Sequence, residues 1–200
     1  MKPVVVVEPH ADDAYLSVHQ HMVDWIKEGR KVIIATVFSG TRKRAKDAQA
    51  YAEAIGAEWN GWGFAEGGEN SPLDAHQFDG LPGTLGMLYG VRDCSWVLPL
   101  GIQHSEHKAV RKWVETGLYN FEVNCCERWT YYVEIPYYTK LKNQEEVNQL
   151  MLNREFVSLK KPKHYKADEK YWKCFKDQSK FFHFNPAEGT KDIPEIIVRN

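Results

Sequence analysis

Two short stretches hold the side chains best suited to chemistry. One is Pro9-His10-Ala11-Asp12-Asp13-Ala14, which follows the apolar run Val4–Val7. The other is His104-Ser105-Glu106-His107, which follows "CSWVLPL", Cys94–Leu100, and a short turn. Imidazole and carboxylate together suit zinc, which takes His nitrogen and Asp oxygen and, in catalytic sites, keeps a position open for water. Two ligands three residues apart in one turn, joined by one from another strand, would assemble such a site. The carboxylate and imidazole left over would then be available for proton transfer. Burying an unpaired His and two Asp is expensive, and a divalent cation offsets that cost by coordinating them. The plainer reading is that Asp-Asp ahead of a helix is a normal capping sequence, and that the second cluster is a helix start with scattered histidines.

For the two clusters to meet, the chain must carry them on neighbouring strands. Pro3–Val7 reads as a strand covered on both faces, and Ala14–Gly29 as a helix with an apolar face. "KVIIATVF", Lys31–Phe38, is a second buried strand, followed by a helix over Arg42–Ile55 that Gly56 ends. Ala57–Phe64 is a third strand, Cys94–Leu100 a fourth, Lys108–Leu118 a helix and Trp129–Ile135 a fifth strand. Phe156–Leu159 is a sixth, Lys163–Phe182 a lysine- and aromatic-rich helix, and Ile193–Val198 an edge strand. The stretch Ala65–Gly83 reads as a long glycine- and acid-containing loop, and Thr84–Arg92 as a short helix. Strand and helix alternating at this spacing predict right-handed crossovers and a mainly parallel sheet. The fold class is α/β, a Rossmann-like three-layer αβα sandwich, and residues 1–200 form one domain. In such sheets ligands bind outside the carboxyl ends of the strands, where strand order reverses. Both clusters belong there.

Composition narrows the function classes. Lys+Arg is 26 against Asp+Glu 27, so the net charge of -1 gives no global pull toward nucleic acid or an anionic membrane. No apolar run approaches the ~20 residues that span a bilayer, and the amino terminus does not read as a signal peptide. Cys94, Cys125, Cys126 and Cys174 form no C-x-x-C pair, so they read as reduced thiols of a cytoplasmic protein.

The two stretches resemble those of the PIG-L/LmbE-like zinc-dependent de-N-acetylases, whose signature is an apolar strand entering A-H-P-D-D-E and, after a later strand, H-P-D-H. Here they read "PHADDA" and "HSEH". Between them, "FSGTRKRAKD" and "EAIG" match the family's turn and helix, with Arg44 and Asp47 in its paired positions. "KYWKCFKDQ" matches its lysine-rich helix near the carboxyl end. The resemblance implies His10, Asp13 and His107 as zinc ligands and Asp12 as the base that deprotonates the attacking water. It implies a cationic His104 that stabilises the oxyanion and protonates the departing amine, with Glu106 holding the His104 ring. Arg44 and Glu66 are implied near the substrate, an N-acetylated small molecule of the N-acetylglucosamine type. The departures are Ala11 and Ser105 for proline, Ala14 for glutamate, Glu106 for aspartate and Asp177 for serine.

Other signals have structural readings. His19, His21, His76, His164 and His183 read as packed or solvated residues, since the pair in "HQH" lies two apart on a helix and points different ways. Arg44 and Asp47 also fit a surface pair at i,i+3. The eight lysines of Lys160–Lys180, interleaved with aromatics, fit a solvated helix face, although single-stranded nucleic-acid grooves share that composition. Two alternatives stand beside deacetylation: a zinc amidohydrolase for another amide, and a silent metal- or nucleic-acid-binding module. A homo-oligomer is left open.

Overall fold

The computed structural model describes residues 1–67, 93–120, 129–135, 137, 140, 143–152, 154–160, 174 and 195–199. The expected short helix over Thr84–Arg92 and nearly all of that over Lys163–Phe182 lie outside them, as does most of the long loop. In chain order the elements are β1 (Val4–Glu8), α1 (Asp13–Lys27), β2 (Val32–Thr36), α2 (Arg42–Ile55), β3 (Glu58–Gly61) and β4 (Ser95–Pro99). Then come α3 (Ser105–Asn120), β5 (Trp129–Tyr132), α4 (Gln144–Met151), β6 (Glu155–Lys160) and β7 (Glu195–Arg199).

The strands form one seven-stranded sheet in the order β3-β2-β1-β4-β5-β7-β6. β3, β2, β1, β4 and β5 run parallel, and β7 is antiparallel to both β5 and β6. β7, expected at an edge, is therefore interior, and among the described residues β6 is the edge strand at that end. The burial of Glu195–Val198 is the physical counterpart of that position.

The alternation of a pleated strand splits the valine run between two cores. Val5 and Val7 face one, with Val110, Val114 and Leu118 of α3, which are four apart and share a helix face. Val4 and Val6 face the other, with Tyr15, Leu16 and Met22 of α1 and Ala48, Tyr51 and Ala52 of α2. Helices on both faces of the sheet make the three-layer αβα sandwich. β1 pairs with β2 on one side and β4 on the other, so chain progression reverses between β1 and β4. The carboxyl ends of those two strands carry the two clusters. Among the described residues no helix is long and apolar enough to cross a membrane. Cys94 is buried and Cys174 half-buried.

Candidate metal centre

The turn after β1 folds on itself. The His10 N–H donates to Asp13 Oδ2 at 2.8 Å, and the Asp13 N–H donates back to the His10 carbonyl at 3.2 Å. Asp13 opens α1, where a carboxylate suits the positive end of the helix dipole. The turn after β4 is held differently. Gly101 has φ +82, and a Cβ there would sit 3.3 Å from Lys108 Cα. Gln103 adopts φ 60, a left-handed conformation that costs a side-chain-bearing residue on the order of 1 kcal/mol or more. Glu146 of α4 accepts the Gln103 N–H at 3.0 Å, and Asn143 donates to the Gln103 side chain at 2.8 Å. The strained residue is thus fixed immediately ahead of His104.

His10 Nδ1, Asp13 Oδ2 and His107 Nε2 converge. The separations are 3.3 Å for His10–Asp13, 3.3 Å for His107–Asp13 and 3.2 Å for His107–His10. An equilateral triangle of that edge is the face of a regular tetrahedron whose centre lies about 2.0 Å from each corner, the zinc–nitrogen and zinc–oxygen bond length. The rings are oriented by their other nitrogens. His10 Nε2 donates to Glu106 Oε2 at 2.7 Å, and His107 Nδ1 to Glu134 Oε1 at 3.3 Å. A carboxylate only accepts, so each of these nitrogens carries a proton and the lone pairs of His10 Nδ1 and His107 Nε2 are left for the triangle. The donor set therefore fits a divalent ion of zinc's preference.

The local field favours positive charge at this point. Burial pushes the His10 imidazole down, but hydrogen bonds to Asp13 and Glu106 carry it up to about 10. Burial pushes the Asp13 carboxyl up, yet His107 and His10 hold it down at about 2. Asp12 is raised to about 6 by burial and by repulsion from Asp13, while His10 and Arg44 pull the other way. The Arg44 guanidinium pairs with Glu66 through Nε–Oε1 at 2.9 Å, so these two residues meet each other near Asp12. His104 lies edge-on to His10, with ring centroids 5.3 Å apart, and burial followed by the charges of His107 and His10 lowers its pKa. That direction disfavours the cationic His104 that the resemblance implies.

Glu106 takes a different partner from the expected one. Its Oε2 lies 2.7 Å from His10 but 3.8 Å from His104 Nδ1, beyond hydrogen-bond reach. Its Oε1 accepts the Gly67 N–H at 2.7 Å, which ties the segment after β3 to the site. Residue 106 is the second position of α3, and the longer glutamate reaches across to the β1 turn.

Two carboxylates escaped the sequence reading. Glu134, just past β5 and fully buried, holds His107 and accepts the Gly101 N–H at 2.6 Å and the Ile102 N–H at 3.2 Å. Its signal was an acid closing the apolar run "WTYYVEI". Replacing it with glutamine is expected to cost about 10–100-fold in metal affinity, read by competition against a chromophoric chelator; unchanged affinity would remove it from the site. Glu8, the last residue of β1, accepts the Ala14 N–H at 3.0 Å and the Thr36 hydroxyl at 2.6 Å. Burial pushes its carboxyl up to about 8. It places a mostly protonated carboxyl beside Ala14 at neutral pH. Glu8→Ala would strand both donors at about 1–3 kcal/mol each, seen as a lowered thermal midpoint; an unshifted midpoint would show the turn does not depend on it.

Aromatic rings wall the cluster. Phe38 stacks on His10 at 5.5 Å, and Tyr137 meets His107 edge-on at 5.1 Å.

No protein-family model matches the chain, and no curated protein matches its sequence. Solved structures do share its fold. The zinc-inhibited form of teicoplanin deacetylase Orf2 superposes with TM-score 0.69 at 14% identity, covering 93% of this chain and 88% of that one. The N,N'-diacetylchitobiose deacetylase of Pyrococcus horikoshii, complexed with its inhibitor MPG, gives 0.57 at 12% identity over 90% and 71%. GalB, the 4-carboxy-2-hydroxymuconate hydratase of Pseudomonas putida KT2440, gives 0.50 at 11% over 100% and 95%. One fold thus carries at least two chemistries, and function has to be argued from the site.

Proposed function

We propose that the chain is a metal-dependent hydrolase that removes the acetyl group from a small N-acetylated substrate, an N-acetylglucosamine-type sugar or conjugate. The observation that carries this reading is the donor triangle of His10, Asp13 and His107 with the buried Asp12 beside it. Structural likeness to two deacetylases supports it.

A divalent ion held by those three side chains would acidify a water and polarise an amide carbonyl. The chain's own groups do the rest. Asp12, raised toward neutrality, takes the proton of the attacking water. His104, on the rim of the triangle, presents an N–H to the developing oxyanion. The C–N bond breaks, and the amine leaves with the proton that Asp12 returns, giving acetate and a free amine. Arg44 and Glu66, paired and each about one-third exposed, offer hydroxyl-binding groups beside the base.

The test combines metal analysis of the purified protein with an acetate-release assay on N-acetylglucosamine and N,N'-diacetylchitobiose. One zinc per chain with stoichiometric acetate and amine supports the reading. Loaded metal with amine released from other amides, and no acetate, would assign it to a different amidohydrolase. Loaded metal and hydration of a carbon–carbon double bond would place it with the chemistry named for GalB.

A further inference from the structure

We propose that Ser158, His21 and Glu195 form a second, metal-independent site that transfers the acyl group of small carboxylic esters. The three side chains are linked in sequence by hydrogen-bond distances. Ser158 Oγ lies 3.0 Å from His21 Nε2, and His21 Nδ1 lies 3.0 Å from Glu195 Oε2. The carboxylate can only accept, so His21 carries its proton on Nδ1 and turns the basic Nε2 lone pair to the serine. This is the nucleophile, base and orienting-acid arrangement that activates a serine hydroxyl.

The surroundings hold that alignment. α1 is broken at Val18, with φ -143 and ψ 18. Beyond the break, the N–H groups of Gln20 and His21 donate to Glu195 at 2.9–3.2 Å. Glu195 is fully buried and His21 nearly so. A bulge in β6 between Phe156 and Ser158 opposes two steps of that strand to one of β7 and re-aims the serine. Capping the broken helix would by itself account for the carboxylate. It does not require the imidazole to reach a serine on another strand.

Ser158 and His21 line a cavity of roughly 370 Å³, together with Trp25, Arg30, Val157 and Lys160. That volume suits a small ligand. Val4 and Ser95, the first residues of β1 and β4, also line it. It therefore opens at the amino ends of the parallel strands, a strand length of roughly 13 Å or more from the metal centre. Tryptophan and valine fit the apolar part of an ester; Arg30 and Lys160 also line the wall, Arg30 bonded to Ser95 and Lys160 paired with Asp24.

The step balances with water as co-reactant. Ser158 Oγ bonds to the ester carbonyl carbon as its proton passes to His21 Nε2. The carbon–oxygen bond to the alcohol breaks, and the alcohol leaves with that proton. Water then attacks the acyl-serine by the same route, which releases the acid and restores Ser158.

The test uses the full chain in excess chelator, with p-nitrophenyl acetate as substrate and a fluorophosphonate as covalent probe. We expect chelator-resistant hydrolysis, one probe per chain mapped by mass spectrometry to Ser158, and loss of both in Ser158→Ala. Ser158 is partly exposed, so that variant retains the fold. His21→Gln should lower hydrolysis at least about 100-fold, in line with the effects of losing a triad base. Probe on another residue, no labelling, hydrolysis lost with the metal, or wild-type hydrolysis in Ser158→Ala would each overturn the proposal.

Discussion

Asp12→Asn should leave the metal in place and lower turnover by about 10²–10⁴-fold, the contribution of one positioned general base. The replacement has the same shape but cannot accept a proton. Asp12 is not a corner of the donor triangle, which consists of His10, Asp13 and His107. Its carboxyl, raised to about 6 by burial and by Asp13, remains ionised at neutral pH and is basic enough to take a proton from an acidified water. Metal stoichiometry by elemental analysis and kcat by acetate release are to be measured on the same preparation. Wild-type kcat with full metal would eliminate Asp12 as the base. Loss of metal and activity together would instead make it a ligand.

Residue type and spacing made much of this arrangement legible. Val4–Val7 are apolar on every position, as a strand in the middle of a covered sheet requires, and both clusters sit where such strands end. The order β2-β1-β4 then places them side by side. The partnerships inside the site were harder to read because they are non-local. Glu134 reaches His107 from 27 positions away and has the appearance of a strand residue until β5 is set beside β4. Glu106 lies two positions from His104, yet its carboxylate turns to His10, 96 positions distant. The same limit hid the order of the last strands. β7 pairs with β5 and β6 through hydrogen bonds that local pattern does not encode. α4 escaped because it is short and mostly polar, and Val147 is its only described buried residue. Its importance lies in Glu146, which holds the strained Gln103.

His107→Ala should abolish stable metal binding, a larger loss than the about 10–100-fold that removal of an orienting carboxylate costs. His107 is fully buried and contributes Nε2 at 3.2–3.3 Å from both other donors, so nothing from solvent replaces it at the same point. Its removal also leaves Glu134 buried without its imidazole. Losing one hydrogen bond to a buried carboxylate costs about 1.5–3 kcal/mol, and the Gly101 and Ile102 amides still satisfy part of it. His107→Gln retains most of the volume and separates the two effects. Wild-type protein should gain about 2.7 kcal/mol when zinc is present at 100 times its dissociation constant. Neither variant should show that rise in thermal midpoint, and only the alanine variant should begin from a markedly lower one. Zinc bound one-to-one in His107→Gln, with the wild-type increase in midpoint, would place the ion elsewhere and dismantle the donor triangle.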